Sequence, residues 1–284
     1  MKKISLPWSL HPEKDEQWYE EQKARMTPDE VARELDISYR LSVSGRVFEA
    51  FASRIHVVTE RPKPDKRAKI HRIWDFGGTN AVLYTQVTRS GQKVCFHERV
   101  LGYNPNNPNS QKSSTPDQIR IALEDSERLF HGFEFIDVCD PAGEVEHHNL
   151  GDPDVDALEK VGIYPRYLKI KHMQSKTKKA NGRKLITQRL QQRMSNGDEG
   201  FILYVSPDRS EGCPILEDAF NFGYVWKRDR NNVIIDGLVD EQHPFEDVMD
   251  CLIYDELETN GAAIDRPVHM KPRGGRKATN KYIR

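Results

Sequence analysis

The chain has 284 residues, 37% hydrophobic and 31% charged, with 43 basic against 44 acidic side chains and a formal net charge of −1. That length can bury the core of one or two globular domains; no run approaches the roughly 18 apolar residues of a membrane span, and the start, Met1-Lys2-Lys3 followed by Pro7 and Trp8, lacks the apolar stretch of a secretory signal. The chain is therefore expected in a cytoplasm, with Cys95, Cys139, Cys213 and Cys251, which form no Cys-x-x-Cys pair, as reduced thiols.

Residues 1–66 read as a mostly helical extension. Thr27-Pro28-Asp29-Glu30 supplies a capping hydroxyl, a proline at the first helical position and acids in the first turn, and the proline-broken stretch 62–67 closes the extension as a linker. Beyond it, apolar and β-branched runs at 70–76, 81–88 and 94–100, separated by Gly77-Gly78 and Ser90-Gly91, predict an antiparallel meander. After an Asn- and Pro-rich loop at 104–114, Thr115-Pro116-Asp117 opens a helix to about Phe130. A strand over 133–139, a helix over 154–162, a strand over 166–170 and a helix over 185–194 follow. The series continues with a strand over 201–205, a helix over 215–222, a hairpin of 224–227 and 233–235, and a helix over 244–258. Three meandering strands and then strand–helix alternation predict an α/β mixed sheet flanked by helices across 67–262, with 263–284 as a basic flexible tail.

The near-zero net charge is unevenly distributed. Asp117 to Glu159 holds thirteen acids and two bases, Lys160 to Gly197 holds eleven bases and no acid, and after Asp265 there are seven bases and no acid. Such segregation gives one molecule both a strip suited to a polyanion and an anion-repelling pocket, although a solvated lysine-rich loop beside an acidic helix has the same composition.

Three carboxylate positions carry chemistry. Asp75 ends the first strand directly before Gly77-Gly78, and Asp140 ends the strand Phe135–Cys139 before Pro141-Ala142-Gly143. Asp247 and Asp250 are three residues apart on one face of the last helix, beside Val248, Met249, Leu252 and Ile253. Converging carboxylates repel, so a cluster of them calls for neutralisation, typically by hard divalent cations with oxygen ligands. An isolated Asp at a strand end more often serves a turn or cap, and Asp137, Asp152, Asp154 and Asp156 are read that way. His243, before Pro244 at a helix start, is read as a helix cap, with assistance to a proton transfer as the alternative role.

Trp74-Asp75-Phe76-Gly77-Gly78-Thr79-Asn80 resembles the first phosphate loop of sugar-kinase and actin-like ATPases, but the second glycine–threonine loop and the glycine-rich adenosine site of those proteins have no counterpart in the sequence. A second resemblance covers nearly the whole chain. The segments Trp8–Pro12, Trp18–Lys23, Glu34–Ile37 and Ser42–Phe48 resemble the handover from ATPase to nuclease in the large subunit of tailed-phage terminase. Trp74-Asp75-Phe76-Gly77, Cys139–Gly143, Cys213–Trp226 and Asp247–Tyr254 resemble motifs of its carboxy-terminal nuclease.

That resemblance implies an RNase H-like fold and an endonuclease that cuts concatemeric viral DNA during genome packaging in the host cell cytoplasm. It implies two Mg²⁺ or Mn²⁺ ions held by Asp75, Asp140 and Asp250, with Asp247 the alternative third ligand, and the small terminase subunit and portal as partners. The chain carries no Gly-x-x-x-x-Gly-Lys-Ser/Thr loop, so the motor ATPase is not assigned to it. Lys169, Lys171, Lys176, Lys178, Lys179, Arg183 and Lys184, with Arg228 and Arg230 at the hairpin, are expected to grip the double-stranded DNA backbone without reading bases. A non-catalytic DNA-tethering packaging module is the remaining reading, marked by salt-sensitive binding without metal-dependent chemistry.

Overall fold

The expected strand–helix alternation forms one mixed sheet between two layers of helix. The computed structural model describes residues 11–12, 14–23, 45–76, 79–101, 114–139, 154–168, 175–230, 233–240, 242–260 and 263–264. In chain order the elements begin with α1 (Glu16–Lys23), α2 (Ser53–His56), β1 (Val57–Val58), β2 (Ile70–Asp75), β3 (Asn80–Val87) and β4 (Lys93–Leu101). They continue with α3 (Thr115–Phe130), β5 (Phe135–Cys139), α4 (Asp154–Lys160), β6 (Arg166–Leu168), α5 (Ser175–Gln191) and β7 (Phe201–Tyr204). The last are α6 (Pro214–Asp218), running into a π-helical turn at Ala219–Gly223, then β8 (Trp226–Arg228), β9 (Ile234–Val239), α7 (Phe245–Thr259) and β10 (Ala263–Ile264).

The sheet order is β1-β7-β4-β3-β2-β5-β6-β10, and β8 and β9 form a separate antiparallel pair. At its centre β2, β3 and β4 are the predicted antiparallel meander. On the other side of β2, β5 and β6 are parallel. This meander with parallel strands added beside its first member is the expected RNase H-like arrangement.

Alternation along β2 divides its side chains between the two layers. Ile70 and Trp74 join Tyr84, Phe96, Ile119, Phe130 and Leu158 under α3 and α4. Ile73 joins Leu216, Val248, Leu252 and Ile253 under α6 and α7. Full burial of a single Leu or Ile on this scale contributes about 1.5–3 kcal/mol. α3 starts as its sequence predicts, with Asp117 N–H donating to the Ser114 hydroxyl at 3.3 Å and Pro116 in the first turn. Among the described residues no helix is long and apolar enough to cross a membrane.

Four expectations change. The helix predicted at 185–194 begins at Ser175, ten residues earlier, so part of the basic strip is helical. Residues 45–58, assigned to the extension, belong to the core: Phe48 and Phe51 pack on Phe220, β1 pairs with β7, and His56 bonds the Leu190 carbonyl at 3.1 Å. Residues 263–264, assigned to the tail, form β10 against β6. Asp137, read as a turn residue, lies within β5, where it accepts from Arg72 Nε at 2.6 Å and from Trp74 Nε1 at 2.8 Å.

Candidate active site

α7 lies along β2 in the opposite direction, and two contacts fix the register. His71 Nδ1 is 2.7 Å from Asp255 Oδ1, and Cys251 Sγ donates to the Ile73 carbonyl at 3.7 Å. Two strand residues advance about 6.6 Å and four helical residues about 6 Å, so the two elements keep step. The next step brings Asp75, at the end of β2, level with the turn that carries Asp247 and Asp250. The Cys251 thiol, between them, is pushed well up by burial and further by the negative charges of Asp75, Asp250, Asp247 and Asp255.

Asp247 and Asp250 are buried, at 4% and 5% exposure, and Asp75 is half-buried. Each of the two helical carboxylates has a nitrogen-bearing side chain beside it. His243 Nδ1 lies 2.9 and 3.0 Å from the oxygens of Asp247. Burial raises the Asp247 carboxyl, and the His243 contact only partly reverses this. Lys179 Nζ lies 2.7 Å from Asp250 Oδ2 and 2.9 Å from Glu246 Oε1. Burial pulls the Lys179 ammonium down, but Asp250 and Glu246 more than compensate and hold it above the ordinary lysine range. The Tyr224 phenol is pushed up to about 12, first by burial and then by the charge of Asp250.

The predicted site residues separate into three groups. Asp75, Asp247, Asp250 and Lys179 belong to this end of the sheet. Asp140, Lys169 and Lys171 lie outside the described residues, as do the side chains of Lys176 and Lys178; Asp140 follows Cys139, which is in register with Trp74. Of the remaining bases, Lys184 and Arg230 are exposed and Arg228 is half-buried. Arg183, expected on the DNA-facing strip, is buried: Nη1 points to Tyr224 Oη at 3.5 Å, Nη2 to the Gly237 carbonyl at 3.4 Å, and the guanidinium lies 5.4 Å from the Trp226 ring centroid. These contacts tie β8 and β9 to α5.

Among the described residues, His71, Asp255 and Glu258 bring ligand-type atoms within 4.8 Å of one another, a grouping that sequence reasoning missed. Their surroundings argue against a metal. Fully buried Lys93 lies 2.6 Å from Asp255 and 3.6 Å from Glu256, Arg189 bonds Glu256 at 2.6 Å, and Arg166 bonds Glu258 at 2.5 Å. Three acids thus face three permanent cations. Burial alone would raise the Asp255 carboxyl, but Lys93 and His71 hold it far below the usual range. The available signal was the Asp255-Glu256-Leu257-Glu258 run in the last turns of a helix, where the dipole disfavours acids unless cations meet them.

Sheet order and strand directions are those of an RNase H-like α/β fold. No family model matches the sequence, and no curated protein matches it. Among solved structures, the large terminase from a thermophilic bacteriophage aligns over 90% of this chain and 55% of its own, at 14% identity and a TM-score of 0.52. A second crystal form of that terminase aligns over 87% and 52%, at 16% identity and a TM-score of 0.52. The P22 large terminase nuclease domain aligns over 76% of this chain and 93% of its own, at 12% identity and a TM-score of 0.49. The chain therefore spans about half the length of the thermophilic phage's large terminase, and the likeness to phage large terminases expected from its motifs is present in the fold.

Proposed function

We propose that this chain is the nuclease portion of a phage terminase large subunit, a divalent-metal-dependent endonuclease that cuts concatemeric double-stranded DNA during genome packaging. The observation that carries this reading is the register of α7 on β2, which sets buried Asp247 and Asp250 level with Asp75. The donor set suits the implied ions. It consists of carboxylate oxygens, as Mg²⁺ and Mn²⁺ prefer, and the intervening Cys251 thiol is buried, turned toward the Ile73 carbonyl and held protonated, so it offers no soft ligand.

In this reading Asp75, Asp140 and Asp250 hold two ions, with Asp247 as the alternative to Asp250. Bound there, the ions supply the charge that polarises water and offsets negative charge building on the scissile phosphate. The chain's own contributions are positional. β2 holds Asp75 at a fixed height, α7 presents its acids on one face, and Lys184 and Arg230, with the bases of 169–178, hold the DNA backbone through phosphates, without base readout. The small terminase subunit and the portal are the proposed protein partners, and ATP-driven translocation is not assigned to this chain.

Purified protein is expected to nick and linearise plasmid in Mn²⁺ or Mg²⁺ and to stop on chelation. Plasmid left intact across both metals and low to moderate salt overturns the nuclease reading, and salt-sensitive binding alone favours a tethering module.

A further inference from the structure

Lys179 reaches the carboxylates from α5, which approaches α7 closely at Gly182. Gly182 lies three residues beyond Lys179 on α5. A Cβ there would fall 2.5 Å from Ile253 Cγ2 and 3.2 Å from the Ile253 carbonyl oxygen, so a side chain would force the helices apart. Across this contact the Lys179 ammonium is shared between two carboxylates on one face of α7, Asp250 at 2.7 Å and Glu246, one turn earlier, at 2.9 Å. The Lys179 side chain is only 26% exposed, and Asp250 and Glu246 are 8% and 13% exposed, so the charges interact in a poorly screened setting.

One of those carboxylates is the proposed metal ligand and the other is not. An ammonium shared in this way can remain on Glu246 when Asp250 turns to a divalent cation. We propose that Lys179 is a positioning residue that sets the metal affinity of the site: its ammonium competes with the divalent ion for Asp250, and Glu246 retains it when the ion binds. The inference rests on reading Asp250 as a metal ligand. It makes the two neighbours act in opposite directions. Without the ammonium, Asp250 is given up to the metal more readily; without Glu246, the ammonium has no second acceptor and holds Asp250 more firmly. An ordinary structural ion pair would affect melting temperature and leave metal affinity unchanged.

The test is Mn²⁺ binding to the full chain without DNA, followed by the electron paramagnetic resonance signal of free Mn²⁺ at fixed pH and ionic strength, with thermal melts confirming folding. Lys179→Met is expected to tighten binding by about tenfold, with Lys179→Gln as the substitute should Met impair folding. Lys179→Arg, which keeps the charge, should stay within about twofold of the wild type. Glu246→Gln should weaken binding several-fold, and this loss should largely disappear when combined with Lys179→Met. Unchanged or weaker binding in Lys179→Met, or the same Glu246→Gln loss in both backgrounds, overturns the proposal. Asp250→Asn separates the layers: Mn²⁺ binding like the wild type removes the ligand assignment and the proposal with it, whereas binding that depends on Asp250 but ignores Lys179 removes the proposal alone.

Discussion

His71 Nδ1 lies 2.7 Å from Asp255 Oδ1, and that contact separates two kinds of acid on one helix. Toward the C-terminal end of α7 the carboxylates are matched by Lys93, Arg189, Arg166 and His71. Toward its N-terminal end Asp250 shares Lys179 with Glu246, and Asp247 meets exposed His243. The first arrangement is structural. Lys93→Met should leave Asp255 buried with only His71 and the Thr85 hydroxyl beside it and Glu256 with only Arg189, destabilising the fold by about 3–5 kcal/mol through the lost cation. Urea denaturation measures this, and Mn²⁺ affinity should stay unchanged in any fraction that remains folded.

At the other end of α7, substitution should affect chemistry more than stability. Asp75→Asn and Asp250→Asn should each lower cleavage roughly a hundredfold or more, since a metal supplies several kcal/mol of transition-state stabilisation and each 1.36 kcal/mol is tenfold in rate. DNA retention in a filter-binding assay should be equal or stronger, because each change removes a negative charge from the proposed cleavage site. Asp247→Asn identifies the third ligand. Cleavage near wild type assigns it to Asp250, and a loss equal to that of Asp250→Asn assigns both.

Much of the fold was legible because its signals are local. The glycine-separated apolar runs marked β2, β3 and β4, and Thr115-Pro116-Asp117 marked the start of α3, whose cap, Ser114, the structure adds. The start of α5 was not legible. Lys179-Ala180-Asn181-Gly182 reads as a loop by propensity, and its glycine is explained only by a tertiary fact, the nearness of Ile253. The same holds for function. Asp75 and the Asp247/Asp250 pair stood out by position and spacing, whereas the pairing of Lys179 with Asp250 depends on how two helices cross, and the burial of Arg183 depends on a hairpin distant in sequence. Charge counting found the basic strip but could not tell which of its members face solvent.

Glu98, on β4, gives the fold a pH dependence. Its carboxyl accepts from the backbone N–H groups of Ile215 and Leu216 at 2.5 and 2.9 Å, anchoring the start of α6. Burial outweighs those bonds and raises it from the ordinary 4.5 to about 8. The folded state then keeps its proton where the unfolded chain has released it, so this group's stabilising contribution is fully present below about pH 4.5 and is lost progressively as pH rises to about 8. Glu98→Gln removes the titration but replaces one of the two accepting oxygens with an NH₂ that cannot accept from the backbone. It should melt below the wild type at pH 5 and close that gap steadily toward pH 8.5; a gap that stays constant across that range contradicts the assignment.

Neighbouring bases on α5 should respond differently to truncation because only one faces solvent. Lys184 is exposed, so Lys184→Ala should leave melting temperature nearly unchanged and, if it contacts a phosphate, reduce the slope of log binding constant against log salt by about 1. Arg183 is buried between Tyr224, Trp226 and the Gly237 carbonyl. Arg183→Ala should lower stability by about 1–3 kcal/mol through lost packing on Trp226 and the lost tie to the hairpin, with little direct effect on the salt slope. Measuring both variants by fluorescence anisotropy on a duplex across 50–200 mM salt, beside thermal melts, separates a residue that holds DNA from one that holds the hairpin. A slope change in Arg183→Ala equal to that in Lys184→Ala would show that the guanidinium leaves its internal position to reach a phosphate.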